Sequence, residues 1–257
     1  QIAQSLRRKR HEAGAISLES PEMMIKVKDS GEVDVRVVRR TAPARQMVTD
    51  LMILYNVLMA EFCQRHEIPA VYRSQTVPEI DTITAEAPEG PLRRYLTMRR
   101  MPPAELSLIP SPHGGLGVPA YIQVTSPLRR YPDLVMQRQI SHFMDVGKPL
   151  YPPKTIASMS QRADMQLREM AKIEGDRRRY WFLKFLDQSL SHEDPSLFKA
   201  IVLENRPGRH SLMELADYPF RFRADLVKTF TPGDSVTMQL HGVDLWRREA
   251  HFVHTHQ

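Results

Sequence analysis

The sequence predicts an α+β protein in which helices dominate the first part of the chain and short strands the last. Helical periodicity runs from Arg45 to Gln64, and a long charged run extends from Lys154 to Gln188. After residue 195, short strand-like runs are separated by turn signals such as Pro232-Gly233-Asp234. The 257 residues can bury a sizeable core. We expect one domain over residues 1–190 and a small second domain over residues 195–257.

The first elements are a predicted hairpin and a helix. Residues 22–40 alternate apolar and polar side chains on both sides of Asp29-Ser30-Gly31, a turn signal. Pro43 then precedes the helical run, whose apolar residues recur every three or four positions. This spacing predicts an amphipathic helix with one apolar face, made of Met47, Leu51, Leu54, Leu58 and Phe62.

The middle of the chain is richer in turns. Residues 76–92 contain many Pro, Glu and Thr residues and predict a loop or a weak helix. Residues 109–119 form a Pro- and Gly-rich stretch before a helix predicted from Leu134 to Met144. Within the long charged run, Tyr180–Leu186 is the most apolar window, and we expect it to pack on the core.

Five short strand-like runs follow within about sixty residues, which predicts a small Greek-key barrel. The runs are Phe198–Leu203, Ser211–Leu215, Phe220–Arg223, Ser235–Leu240 and Glu249–Val253. Alternation in the third run predicts buried Phe220 and Phe222. The closing His251, His254 and His256 can chelate a metal in principle, but a frayed tail is the preferred interpretation.

Composition favours a polyanionic partner and a reducing compartment. The net charge is +6 and the isoelectric point is near 9.5. The single cysteine, Cys63, excludes an internal disulfide framework and is interpreted as a core residue in a cytoplasmic protein. No apolar stretch approaches the roughly 20 residues that span a bilayer, so no membrane partner is expected. The chain opens with Gln1 in what reads as mid-domain sequence, so we expect a piece of a longer polypeptide.

The most informative segment runs from Tyr121 to Arg138. It contains two hydroxyls, two adjacent guanidiniums and a phenol, at Thr125, Ser126, Arg129, Arg130 and Tyr131. Hydroxyls and paired guanidiniums on a stiff turn suit a phosphate-bearing ligand. The alternative is a loop that holds a buried arginine–carboxylate pair. A core position is the preferred interpretation of Tyr131, and Asp133 either accepts from an arginine or caps the following helix.

This segment resembles the TSPIRRY-x-DL signature of the ribonuclease II/R (RNB) exoribonuclease family. Three other segments resemble family motifs in the same order, at residues 6–16, 47–56 and 66–73, and Gly114–Gly117 resembles the motif before the signature. Two departures stand out, because Thr49 replaces the first glutamate of a carboxylate pair and Gln137 replaces a histidine.

The resemblance implies an RNB-type catalytic domain, of which residues 1–190 are the C-terminal portion. It implies Arg129 and Asp50 as catalytic residues, with Arg129 against the scissile phosphate. It also implies RNA contacts by Arg130, Tyr131, Ser126, Thr125 and Glu174. The alternative for both Glu174 and Asp50 is a solvated helix position, and for Glu174 this alternative is the preferred interpretation.

The family holds Mg²⁺ with a cluster of aspartates, and this sequence has no such cluster. The nearest acidic groupings, such as Glu79-Ile-Asp81, do not present three carboxylates to one ion. Two explanations stay open. Either an upstream segment or another chain carries the aspartates, or the protein binds RNA without catalysis.

The closing pattern from Gly233 to Arg248 resembles the end of a ribosomal-protein-S1-type OB-fold domain, which RNB enzymes carry at the C-terminus. Basic and aromatic residues in the predicted barrel fit an RNA-binding surface, because aromatic faces stack bases and arginines follow the backbone. We expect RNA contacts by Arg221, Arg223 and Arg247. Together the resemblances imply a processive 3′→5′ exoribonuclease that converts single-stranded RNA to nucleoside 5′-monophosphates with Mg²⁺. A regulatory RNA-binding protein is the second hypothesis, and a basic protein scaffold is the third.

Overall fold

A computed structural model describes residues 1–16, 20–38, 42–77, 82–190, 196–205 and 210–255. Helices and strands alternate irregularly in the first part of the chain, and strands follow one another in the last part, so the α+β prediction is confirmed. The chain divides into two compact units. Unit 1 comprises Gln1–Ser17, Thr41–Glu79 and Arg100–Ala171, and unit 2 comprises Leu18–Arg40, Ile80–Arg99 and Lys172–Gln257.

Unit 1 is mainly helical. Its helices are α1 (Ile2–Glu12), α2 (Pro43–Arg65), α5 (Tyr131–Val146) and the first part of α6 (Pro153–Gln188). Two short strands, β3 (Tyr72–Ser74) and β4 (Glu105–Ser107), pair in antiparallel fashion, and a single 3-10 turn covers Gly114–Leu116. The principal core of the unit contains the buried residues Ala60, Cys63, Ile122, Met136 and Ile156. Burial raises the pKa of the Cys63 thiol to about 12, which agrees with its interpretation as an inert core residue.

The face that α2 buries differs from the predicted one. Met47, Leu51 and Leu58 of the predicted apolar face are 44–49% exposed. Asp50 and Asn56 are 2% and 1% exposed and face inward with Ile53, Ala60 and Cys63. The polar pair faces inward because both side chains make hydrogen bonds within unit 1, as shown below.

Unit 2 contains the predicted barrel. Five antiparallel strands form one sheet in the order β7-β6-β5-β8-β9, and β7 approaches β9 so that the barrel nearly closes. Ala200 lies opposite both Leu215 and Val236, and the register shifts between Val202 and Glu204 and between Leu240 and Gly242. This arrangement is consistent with the predicted OB fold. The strands are β5 (Leu197–Glu204), β6 (Ser211–Leu215), β7 (Arg221–Ala224), β8 (Ser235–Asp244) and β9 (Glu249–His254).

The end of α6 completes the barrel core. Phe182, Leu183 and Leu186 are fully buried against barrel side chains that include Phe220 and Phe222, as the sequence predicts. The predicted hairpin also belongs to unit 2. It consists of β1 (Glu22–Val27) and β2 (Val33–Val38), and its Met23, Ile25 and Val35 pack on the same core.

Two further helices of unit 2 are α3 (Thr82–Glu86) and α4 (Pro91–Arg100), of which α4 has no counterpart in the sequence-based expectations. Arg94 of α4 forms an ion pair with Glu214, and the Tyr95 hydroxyl donates to Glu204. These contacts attach α4 to β6 and β5. The compact units combine segments from both sides of residue 190, so the division at that point stays a prediction about domains.

Two smaller expectations have clear outcomes. His251 and His254 lie in β9, so the prediction of a frayed tail is wrong for both, while His256 is outside the described residues. Pro207 and Gly208, a dipeptide typical of turns, also lie outside them. Among the described helices, none combines the length and the apolar character required to cross a bilayer.

Candidate active site and RNA-binding residues

The signature loop, residues 125–130, connects a buried segment to α5 in unit 1. Ile122 and Val124 before the loop are at most 1% exposed. Within the loop, the backbone N–H groups of Arg129 and Arg130 both donate to the carbonyl oxygen of Ser126, at 3.3 and 3.0 Å. These bonds fold the chain into a tight turn directly before the first helical residue, Tyr131.

Two side chains fix the start of the loop through one residue. The Asn56 carbonyl oxygen accepts the backbone N–H of Val124 at 3.1 Å, and Gln137 Nε2 donates to the Val124 carbonyl at 2.6 Å. Asn56 Nδ2 also donates to the Tyr121 hydroxyl at 2.9 Å and lies 3.5 Å from Thr125 Oγ1. Burial raises the pKa of Tyr121, so its hydroxyl stays protonated while its oxygen accepts from Asn56. Asn56 and Gln137 therefore position the loop from α2 and α5.

Asp133 fixes the other end of the loop. Its side chain is fully buried, and its Oδ2 accepts from the Ser126 N–H at 2.9 Å and from Arg130 Nη2 at 2.7 Å. Arg130 occupies the N-cap position of α5, so Asp133 accepts from an arginine and does not cap the helix. Arg130 Nε and Asp133 Oδ1 are buried and have no hydrogen-bond partner among the described residues.

Arg129 is the free cation of the arginine pair. Its side chain is exposed, and no ion pair or side-chain hydrogen bond holds it within the described part of the chain. Arg130 is neutralised by Asp133, with 20% of its side chain exposed. Tyr131 is 51% exposed, so the expectation of a core aromatic is wrong. Thr125 and Ser126 are half-buried. The loop thus exposes Arg129, Tyr131 is exposed at the first position of α5, and Arg130 is held by Asp133.

Asp50 has a different environment from Arg129. Arg7 donates to Asp50 Oδ2 through Nε at 3.1 Å and Nη2 at 2.5 Å, and Arg10 forms an ion pair with Oδ1. Both arginines lie on α1, a helix that the sequence-based expectations did not include. Arg7 also donates to Gln46. In the described part of the chain, no hydrogen bond joins Asp50 to the signature loop. The Asp50 carboxylate instead attaches α1 to α2 through its ion pairs with Arg7 and Arg10.

Gly117 keeps the arginine-bearing end of α1 in place. Its φ is +63°, in the left-handed region, and a Cβ at this position would meet the carbonyl oxygen of Arg10 and the nitrogen of Ala15. Nearby, the buried His113 ring meets Tyr121 edge-on with 5.7 Å between centroids. Burial and the charge of Arg73 lower the pKa of His113, so the ring is neutral at pH 7.

The remaining predicted RNA contacts lie in unit 2 and divide into bound and free side chains. Arg221 donates to the buried Glu214 at 2.8 Å and lies 5.1 Å above the Tyr95 ring. Arg223 is exposed and has no ion pair among the described residues. Arg247 is 79% exposed, and its nearest carboxylate, Asp244, is 3.8 Å away.

Glu174 lies on an exposed surface of α6. It is 60% exposed and faces Arg177 and Arg178 at 3.8 and 3.9 Å, which is the solvated helix position of the alternative hypothesis. Exposed pairs of this kind contribute little stability. The site residues therefore fall into two groups, one around Arg129 in unit 1 and one on the barrel and α6 in unit 2.

The structure also tests whether the chain can hold Mg²⁺. Among the described residues, no three His, Cys, Asp or Glu side chains converge so that they could bind a metal ion. Asp50 and Asp133, the buried aspartates, are both engaged by arginines. The described residues therefore do not fit a magnesium site, and no catalytic step is assigned to an ion held by them.

Comparison with known proteins finds one matching domain family and relatives that are named ribonucleases. The RNB domain family model matches residues 1–145. An uncharacterized ribonuclease of Synechocystis sp. is 31% identical over 252 residues, which cover 95% of this chain and 36% of that protein. The chloroplastic/mitochondrial ribonuclease II of Arabidopsis thaliana is 30% identical over 90% of this chain and 29% of its own length. The chain thus spans about a third of the curated relatives it matches.

Solved structures show the same fold. An active-site mutant of the Dss1 exoribonuclease from Candida glabrata superposes with a TM-score of 0.84 at 20% identity, over 99% of this chain and 34% of that protein. Mycoplasma genitalium RNase R in complex with double-stranded RNA gives a TM-score of 0.76 at 17% identity, over 99% of this chain and 49% of that protein. A yeast pseudonuclease, Ssd1, gives 0.54 at 15% identity over 79% of this chain and 28% of that protein.

Proposed function

The chain belongs to the RNB domain family, and on this premise we propose that it forms the C-terminal part of an exoribonuclease. The proposed activity is processive 3′→5′ hydrolysis of single-stranded RNA to nucleoside 5′-monophosphates in the cytoplasm, with Mg²⁺ as cofactor. The observation that carries this proposal is the exposed, unpaired Arg129 on a loop whose backbone is bound by Asn56, Gln137 and Asp133.

Arg129 stabilises the phosphate at the cleaved bond. Hydrolysis of a phosphodiester builds negative charge on phosphate oxygens, and a guanidinium offers two parallel donors to them. A positioned donor acts more strongly when its frame needs no rearrangement during the reaction. The loop meets this condition, because its two arginines have separate tasks: Asp133 binds Arg130, and Arg129 stays free for the substrate.

The proposed Mg²⁺ ligands lie on a polypeptide segment outside this sequence. The relatives that the chain matches are about three times as long as the matched region, which leaves ample sequence for such a segment. The exposed stripe of α2 offers a contact surface for it. The stripe consists of Met47, Leu51, Tyr55 and Leu58, which are 44–49% exposed at spacings of three and four. A contiguous apolar face of this kind typically marks an interface.

The barrel supplies RNA affinity through its free cations. Arg223 and Arg247 are exposed and available to phosphates, whereas Arg221 already binds Glu214. Contacts to phosphates release counterions, so the affinity for RNA is expected to fall steeply with salt concentration.

The second candidate is an RNA-binding protein without catalysis. It is favoured by one observation, the lack of a possible metal-binding group among the residues that the structure describes. The two candidates differ in what they require from outside the chain. The enzyme needs a further segment with carboxylates, and the binding protein needs none.

One experiment separates the candidates. The 257-residue chain and the longest polypeptide encoded by the same gene are incubated with 3′-tailed single-stranded RNA, with Mg²⁺ or with EDTA. Release of nucleoside 5′-monophosphates by the longer polypeptide, abolished by EDTA, supports the enzyme. Intact RNA that both polypeptides retain in a gel supports the binding protein. Absence of RNA binding at low salt contradicts both.

A further inference from the structure

The turn between β8 and β9 presents the most exposed aromatic side chain of the described barrel. Residues 245–248 form this turn, and Trp246 within it is 97% exposed. Its neighbour Leu245 packs against the barrel core. The turn therefore buries one apolar side chain and leaves the larger one in solvent, although tryptophan is usually well buried in folded proteins.

Hydrogen bonds at both ends hold this turn in one conformation. Asp244 Oδ1 accepts the backbone N–H groups of Trp246 and Arg247 at 3.0 and 2.9 Å. Arg248 has a φ of +58°, its carbonyl oxygen accepts from Arg179 Nε at 2.8 Å, and its guanidinium pairs with Asp176 at 2.6 Å. The indole thus projects from a fixed backbone, and binding through it needs little ordering of the chain.

The charge next to the indole is available for a ligand. Arg247 is 79% exposed, and its 3.8 Å approach to Asp244 is a weak, solvent-screened pair. Arg248 and Arg179 are committed to the turn itself. An exposed ring next in the chain to an exposed, weakly paired guanidinium matches the two parts of a nucleotide, because a base stacks on an aromatic face and a phosphate accepts from arginine.

We propose that Trp246 stacks an unpaired nucleobase of RNA and that Arg247 contacts the adjoining phosphate. This inference rests on the proposed function, since it names the point on the barrel where single-stranded RNA docks. A bilayer surface is a poorer match, because the exposed residues that follow the tryptophan in the chain, Arg247, Arg248 and Glu249, are charged. Stacking is sequence-tolerant, since every base has a π-face, so the site accepts any unpaired base.

The test uses the fact that the chain contains two tryptophans. Trp181, the other one, is half-buried and lies edge-on to Tyr180 at 5.3 Å. A Trp181→Phe variant of the full chain makes Trp246 the only source of indole fluorescence. Its emission is followed during titration with oligouridylate, while anisotropy of a labelled oligouridylate reports binding independently. We expect quenching to saturate at the same RNA concentration as anisotropy.

Substitutions then separate stacking from charge. Trp246→Ala should weaken binding roughly 5- to 150-fold, the range for one stacked base, and Trp246→Phe should retain most of the affinity. An oligonucleotide with abasic sites keeps its phosphates and should bind the unsubstituted chain about as weakly as Trp246→Ala binds oligouridylate. Arg247→Gln should reduce the slope of log affinity against log salt by about 0.7, whereas Arg36→Gln, an equally exposed arginine on β2, should leave it unchanged.

The outcomes distinguish this inference from the function on which it rests. If RNA binds with unchanged indole emission and Trp246→Ala binds as tightly as the unsubstituted chain, the inference is overturned and the proposed function stands. If RNA binds to no form of the chain, both are overturned. Quenching by anionic phospholipid vesicles but not by RNA overturns the inference in favour of a membrane surface.

Discussion

Replacing Asp133 with asparagine tests how the signature loop is held. The asparagine keeps the shape and one carbonyl oxygen, which can still accept the Ser126 N–H that lies 2.9 Å from Asp133. It loses the negative charge that pairs with Arg130 at 2.7 Å. In this ion pair the carboxylate is fully buried and the guanidinium is 20% exposed. Breaking a fully buried pair costs about 3–5 kcal/mol, and the partial exposure of Arg130 lowers our expectation to about 2–4 kcal/mol of unfolding free energy.

Urea denaturation measures this loss, and Asp145→Asn is the matched control because Asp145 is an exposed carboxylate on the same helix, α5. The control should stay within about 0.5 kcal/mol of the unsubstituted protein. A cycle with Arg130→Met isolates the pair and should give a coupling free energy of about 1–3 kcal/mol. Coupling below about 0.5 kcal/mol, or equal effects of Asp133→Asn and the control, would refute the reasoning.

Three further predictions concern unit 1. Asn56→Ala leaves the buried Val124 N–H without its acceptor and should lower the unfolding free energy, measured by urea denaturation, by about 2–4 kcal/mol. The control Gln64→Ala, at an exposed position of the same helix, should lower it by less than about 0.5 kcal/mol. Equal losses in the two variants would contradict the prediction. Gly117→Ala should lower the unfolding free energy by about 1–3 kcal/mol in the same assay, because alanine is strained at φ +63° and its Cβ would meet the Arg10 carbonyl oxygen. An unchanged urea midpoint would contradict this close approach of Gly117 to Arg10. The pKa of His113 is lowered by burial, so the unfolded chain takes up a proton first as pH falls below about 6.5, and stability should decline from there. His113→Gln should flatten that part of the stability–pH curve relative to the unsubstituted protein, and parallel curves would exclude this contribution.

Much of the fold follows from local patterns in the sequence. The five barrel strands, the hairpin and the apolar window of α6 lie where alternation and turn signals predict them. These elements bury a regular face, so the period of the apolar residues reveals them. Two helices, α1 and α4, were not expected. Both are strongly charged, and the contacts that attach them include ion pairs of Arg7, Arg10 and Arg94 with buried carboxylates, which the periodicity of apolar residues does not reveal.

The orientation of α2 shows why side-chain tasks are harder to predict than elements. Its apolar stripe is exposed, and its inward face includes Asp50 and Asn56, because the arginines of α1 and the backbone of Val124 supply their partners. Those partners lie 40 or more residues away in the chain, so the sequence alone does not reveal the pairing.

The candidate site could be predicted only in part, because the partners that hold its side chains are also not apparent from the sequence. The residue types alone do not distinguish Arg129 from Arg130, and only the family resemblance ranked Arg129 first. The structure separates the two, because Asp133 binds only Arg130. Arg221 and Arg223 likewise look equivalent in an alternating strand, whereas Arg221 is bound to Glu214 and Arg223 is free. The positioning role of Gln137 was missed, since it depends on a bond to the Val124 carbonyl that spans 13 residues.

The most direct test of the account compares Arg129→Ala with Arg65→Ala in the longest polypeptide that cleaves RNA. Arg65 is an exposed arginine at the end of α2 and serves as the matched control. Single-turnover cleavage and RNA affinity are measured for both variants. The account predicts that Arg129→Ala slows cleavage by about 100-fold or more with affinity near that of the unsubstituted protein, and that Arg65→Ala changes neither. Equal losses of rate and affinity in Arg129→Ala, or an unchanged rate, would contradict the central claim that this guanidinium acts on the phosphate being cleaved.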